Sequence, residues 1–144
     1  MALTAYVDAS VLIRVALEQP SALPEWSAVA RGVSSTLLTT ECLRTLDRLR
    51  LRTHLTDAEV ALRRSAIFDL IASLELVEID GAVLDRASQP MPTELGTLDA
   101  IHLATALLWN EANRAELIMA THDIQLGTGA RAHGMRVVGI SFKP

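Results

Sequence analysis

The chain has 144 residues, half of them hydrophobic, which suffices for one domain with a real core and excludes disorder as the default. Its net charge of −4 excludes a protein that holds nucleic acid by bulk positive charge. The single Cys42 allows no intrachain disulfide, and neither a membrane-length apolar run nor a basic-then-apolar leader is present, so a reducing cytoplasm is the expected compartment.

The stretch Thr4 to Ile13 sets the frame. A short β-rich run, Ala5-Tyr6-Val7, ends on Asp8, and a helical pattern (Val11, Leu12, Val15, Ala16) follows at once. Ser10 is the expected N-cap of that first helix, which runs to Glu18. Pro20 and Pro24 mark a break. A short second helix is expected over Glu25–Arg31, with Trp26, Val29 and Ala30 inward and Gly32 ending it. Val33–Leu38 has strand composition. Thr39-Thr40-Glu41 then opens a long helix to about Leu51, with Leu43, Leu46, Leu49 and Leu51 as its apolar face. Thr56, with Glu59 three residues on, predicts a capping box for the next helix, which carries Val60, Ala61, Ile67, Leu70, Ile71 and Leu74. These two helices form a hairpin suited to packing, dimerisation or substrate shaping.

Leu76–Ile79 reads as a strand and Asp80–Ala87 as a short helix. After a loop with Pro90, Pro92 and Gly96, Thr97 is expected to cap a strong helix through Leu108. Leu117–Ala120 is a buried-strand run, Ile124–His133 a short helix or loop, and Arg136–Ile140 a last strand. Strands and helices alternate throughout, which predicts an α/β fold with a parallel sheet and helices on both faces.

Four acids fall at strand ends or helix starts: Asp8, Glu41, Asp99 and Asp123. Strand C-termini and helix N-termini share one edge of such a sheet, so the four can converge. Hard carboxylate oxygens with few His and no Cys cluster point to Mg²⁺ or Mn²⁺ rather than Zn²⁺. Divalent ions relieve the repulsion of such a cluster and organise phosphoryl chemistry. The plainer reading is that Glu41 and Asp99 complement helix dipoles and that Asp123 is a turn or cap residue. Positive charge is local: Arg44, Arg48, Arg50 and Arg52, then Arg63-Arg64, with one lysine, Lys143. These arginines form either a solvated helical face or a rim that positions phosphates. Arg14, one helical turn beyond Ser10, faces phosphate or a salt-bridge partner.

The segments Tyr6-Val7-Asp8-Ala9-Ser10-Val11-Leu12, Thr40-Glu41, Leu98-Asp99-Ala100-Ile101-His102-Leu103-Ala104-Thr105-Ala106 and Thr121-His122-Asp123 resemble, in order, those of a PIN domain. The resemblance is specifically to the VapC-type toxin ribonucleases of bacterial toxin–antitoxin pairs, and it spans essentially residues 1–144. It implies a three-layer α/β/α sandwich with a central parallel β-sheet. It also implies Mg²⁺- or Mn²⁺-dependent cleavage of RNA, leaving 5′-phosphate and 3′-hydroxyl ends. By the same resemblance Asp8, Asp99 and Asp123 are metal ligands, Glu41 is a ligand directly or through water, and Ser10 and Thr121 support the site. A homodimer and a small VapB-like antitoxin are the implied partners. His102 and His122 are expected to be structural or surface residues rather than ligands, and Trp26 and Trp109 core or interface residues.

Two rivals belong to other classes. A receiver domain phosphorylated on Asp also places acids at strand ends, but it wants a second acid beside Asp8, where Ala9 stands, and a lysine after the last strand. A PIN fold kept as a binding module would be expected to have lost part of its acid set, which is complete here.

Overall fold

The computed structural model describes residues 1–143. Its centre is β1 (Leu3–Val7), the middle strand of a five-stranded sheet ordered β3-β2-β1-β4-β5. The others are β2 (Val29–Ser35), β3 (Glu75–Val77), β4 (Ile118–Ala120) and β5 (Val137–Val138), and every pairing is parallel.

Strand side chains alternate between two cores. Ala5 and Val7 with Ile118 and Ala120 enter the first, while Tyr6, Val33 and Met119 enter the second. The first core is closed by α1 (Ala9–Ala16), α2 (Leu37–Thr53) and α3 (Asp57–Ala72) through Leu12, Leu38, Cys42, Ile67 and Ile71. The second is closed by α5 (Thr97–Asn113) and α6 (Ile124–Ala132), with α4 (Gly81–Ala87) packed on α5. The expected α/β/α sandwich is therefore present, with both sheet faces covered.

The strand order locates a crevice. From β1 the chain moves outward to β2 and β3, using the helices of the first core. It then crosses over through α4 and α5, re-enters beside β1 as β4, and moves outward the other way to β5. The fixed hand of crossovers puts helices on opposite faces when direction reverses. The β1/β4 junction is thus a switch point, where open α/β sheets leave a ligand crevice at strand C-termini.

Several expectations change. The helix expected over Glu25–Arg31 is a 3₁₀ turn at Pro24–Ala28, followed directly by β2. Val29 and Arg31 pair with Leu3 and Thr4, and Gly32 lies inside the strand opposite Ala5 rather than ending a helix. A Cβ on Gly32 would sit 2.3 Å from Leu74 Cδ2, so close packing explains this glycine. The first helix begins earlier than expected and ends at Ala16, and Asp8, not Ser10, is its N-cap. α2 starts at Leu37, so Glu41 lies in its second turn, and Leu38 and Cys42 rather than Leu51 face the core. In α3 Ala61 is exposed. Gly96 is the N-cap of α5 and Thr97 its first residue. The capping box of Thr56 and Glu59 is formed as expected, and the segment after Asp123 is helical.

Candidate active site

The end of β1 is bonded to the end of β4 by Asp8 N–H donating to Ala120 O at 3.0 Å. An N-cap aspartate ordinarily accepts from its helix's free amides, but the Asp8 side chain caps nothing. Its Oδ2 instead accepts from the Ser10 and Thr121 hydroxyls at 2.7 and 2.8 Å. Each hydroxyl in turn accepts a backbone amide from the β4–α6 turn: His122 N–H reaches Ser10 Oγ at 2.9 Å, and Asp123 N–H reaches Thr121 Oγ1 at 3.0 Å. Asp8 is buried, yet both bonds fall on one oxygen and Oδ1 is left open.

Asp123 does cap α6. Its Oδ1 accepts from Gln125 and Leu126 amides at 2.9 and 3.3 Å, so the plainer reading of this residue holds for one of its oxygens. Asp99 lies in the first turn of α5, where a helix dipole favours a carboxylate. Its pKa is nevertheless raised to about 6. Burial is the main cause, followed by the charges of Asp123 and Asp8; His102 opposes the rise and Glu41 adds to it. Dipole complementation alone does not account for such a residue. The field of these acids reaches Cys42 as well. Burial first, then Glu41 and Asp8, push its thiol up to about 12, so it is an inert core group.

Glu41 reaches the cluster on a longer arm. Its Oε1 meets His102 Nε2 at 2.5 Å, and His102 Nδ1 meets the Tyr6 hydroxyl at 2.6 Å. His102 and Tyr6 are fully buried. Burial pulls the His102 pKa down, but the bond to Glu41 and the charges of Glu41, Asp8 and Asp99 outweigh it, so the net shift is upward. From sequence, His102 is expected to be a structural or surface residue and Tyr6 no more than part of a strand. The available signal was spacing: His102 lies three residues beyond Asp99, on the same side of α5.

The other predicted residues make no hydrogen bond to the four acids. His122 Nδ1 donates to Gly139 O at 2.7 Å, and His122 lines, with Arg14 and Glu25, a cavity of about 390 Å³. Arg44 pairs with Asp47 at 3.2 Å and Arg48 donates to Thr45 at 3.2 Å, both on the exposed face of α2. A cavity of about 530 Å³, lined by Asn110, Ile118, His133 and Arg136 among others, contains none of the four acids. It opens beside the start of β4, at the sheet edge away from the carboxylates.

Among the described residues no three Asp, Glu, His or Cys side chains form a ready-made metal cage. Carboxylates repel one another without a cation, and here three of the four take protein partners on one oxygen. The donor set still suits a hard cation: all four acids offer oxygen, and each keeps an oxygen outside those bonds.

The PIN domain family model matches residues 5–126, a span that holds all four acids. The chain belongs to the PIN-domain family. This PIN domain is 35% identical over 140 residues to Ribonuclease VapC46 of Mycobacterium tuberculosis, covering 94% of the chain and 97% of that protein. It is similar in fold to the crystal structure of PAE2754 from Pyrobaculum aerophilum, with a TM-score of 0.55 over 96% of this chain and 92% of that one. Identity there is 19%, so the likeness concerns the fold alone.

Proposed function

We propose that this chain, as one PIN domain over residues 1–144, is a metal-dependent endoribonuclease and the toxin of a toxin–antitoxin pair. The supporting observation is Asp99: a carboxylate at a helix N-terminus whose pKa is raised, after burial, by the charges of three other acids at the switch point. Similarity to a VapC ribonuclease supports the choice of RNA as substrate. Asp8, Glu41, Asp99 and Asp123 would hold Mg²⁺ or Mn²⁺. A bound ion of this kind neutralises the cluster, activates water and offsets charge developing on the phosphate.

The chain's own residues do the arranging. Ser10 and Thr121 fix Asp8 by donating to its Oδ2, and the α6 amides fix Asp123. Arg14 beside His122, with Arg44 and Arg48 on α2, would take phosphates flanking the scissile bond. The ion pair of exposed Arg44 with Asp47 is weak enough for phosphate to displace. The relative's VapC name supports a VapB-like antitoxin as partner; a homodimer and a cytoplasmic site of action belong to the same reading.

The test is RNA cleavage by wild type and Asp8→Asn, each with Mg²⁺, Mn²⁺ or chelator. Discrete metal-dependent fragments from wild type only are expected. Equal cleavage by both proteins would falsify the assignment.

A further inference from the structure

We infer that His102 is a positioning residue, clamped between Tyr6 and Glu41 so that it sets the direction in which the Glu41 carboxylate faces the acid cluster. This rests on the ribonuclease reading above and adds to it two residues, Tyr6 and His102, that the four-acid set does not include.

The acids differ in how they are held. Asp8 is fixed by two hydroxyls and Asp123 by two helix amides. Glu41 comes from the second turn of α2 on a longer, more flexible side chain, and His102 supplies its hydrogen bond at 2.5 Å. The imidazole is itself immobile. It is 0% exposed, bonded at Nδ1 to the Tyr6 hydroxyl at 2.6 Å, and edge-on to the Tyr6 ring with centroids 5.8 Å apart. An ionised carboxylate only accepts, so Nε2 carries the proton between them whether the ring is neutral or charged. Nδ1 meets a hydroxyl, which can donate or accept, so the chain of bonds survives either state. The bond engages Oε1 and leaves Oε2 outside it, available to a cation. It also joins α2 of one helix layer to α5 of the other, and α5 brings Asp99 to the same place.

Three variants test this: His102→Leu, His102→Gln and Tyr6→Phe. The readouts are Mn²⁺ binding by calorimetry, kcat and KM on an RNA substrate, and ¹⁵N NMR of the imidazole in chelator-treated wild type. Wild type is expected to show a protonated Nε2. His102→Leu is expected to weaken Mn²⁺ binding about 10–100-fold and to lower kcat with KM nearly unchanged, as for other residues that orient metal ligands. His102→Gln, which returns an N–H donor near the position of Nε2, is expected to recover most of both. Tyr6→Phe, which leaves the Glu41 contact in place, is expected to fall between wild type and His102→Leu. Wild-type Mn²⁺ affinity and kcat in His102→Leu would overturn the positioning role, and so would equal losses in the Leu and Gln variants. A wild type that neither binds Mn²⁺ nor cleaves RNA removes the ribonuclease reading itself, and the positioning role with it.

Discussion

The Thr121 hydroxyl donates to Asp8 Oδ2 at 2.8 Å while accepting the Asp123 amide at 3.0 Å, so one buried side chain joins acids 115 positions apart in sequence. Thr121→Val keeps the shape and removes both bonds. The part-buried Asp123 N–H loses its acceptor and the Asp8 side chain keeps only Ser10. A loss of about 1–3 kcal/mol in denaturant unfolding is expected, with at least a tenfold fall in RNA cleavage. Thr121→Ser preserves the bonds and should stay close to wild type in both assays. Wild-type stability in the Val variant would show that the hydroxyl bridge contributes nothing.

Asp99 opposes folding in the absence of a cation. Its folded pKa, about 6, lies above the ordinary 3.8, so the folded protein binds this proton more tightly than the unfolded chain does. The resulting penalty is present in full above pH 6 and vanishes as pH falls through the window from 6 to 4. Asp99→Asn should therefore stabilise the chelated protein at pH 7.5 and lose that advantage by pH 4. Because the residue is half-buried and screened by solvent, the gain is about 1 kcal/mol rather than the full shift. Mg²⁺ should raise the Tm of wild type and leave that of Asp99→Asn unmoved. A variant no more stable than wild type at pH 7.5 would count against a crowded acid cluster.

Arg14 lines the cavity beside His122, and phosphate contacts there carry a salt signature. Arg14→Ala should raise KM for RNA several-fold while leaving kcat and Tm near wild type. The dependence of log affinity on log salt should become shallower by about one unit. An unchanged salt slope would assign Arg14 to the surface of the fold alone.

Much of this arrangement is readable from the chain because it rests on local pattern. Strands and helices alternate, and Asp8, Asp99 and Asp123 each follow a strand or open a helix, so one sheet edge collects them. What escapes is decided by distant partners. Val29–Arg31 reads locally as the end of a helix, and pairing with Leu3 and Thr4 makes it strand instead. The start of α2 at Leu37, which moves Glu41 to the second turn, depends on Leu38 and Cys42 fitting the first core. The Tyr6–His102 bond joins residues 96 apart, and no periodicity announces it.

Thr56 separates stability from activity. Its hydroxyl accepts the Glu59 amide at 3.2 Å and the Glu59 carboxylate accepts the Thr56 amide at 2.8 Å, closing the N-terminus of α3. Thr56→Ala should cost about 1 kcal/mol by chemical denaturation. Cleavage per folded molecule should be unchanged, since neither residue is among the hydrogen-bond partners of the four acids. A fall in specific activity larger than the unfolded fraction would link the α2–α3 hairpin to substrate.

Gly139 supports the site from the bend that follows β5. Its φ is +102°, a backbone conformation that side chains resist, and a Cβ there would lie 2.3 Å from Thr121 O. Its carbonyl also accepts from His122 Nδ1 at 2.7 Å. Gly139→Ala must therefore shift the backbone of Thr121, the residue that bridges Asp8 and Asp123. A Tm decrease equivalent to about 1–3 kcal/mol is expected from the strained conformation. Cleavage by the folded fraction should fall as well, because a site held to fractions of an ångström loses activity with small displacements. The contrast with Thr56→Ala is the control: similar destabilisation, but loss of specific activity only in the glycine variant. Full specific activity in Gly139→Ala would show that the site tolerates movement of the β4–β5 edge.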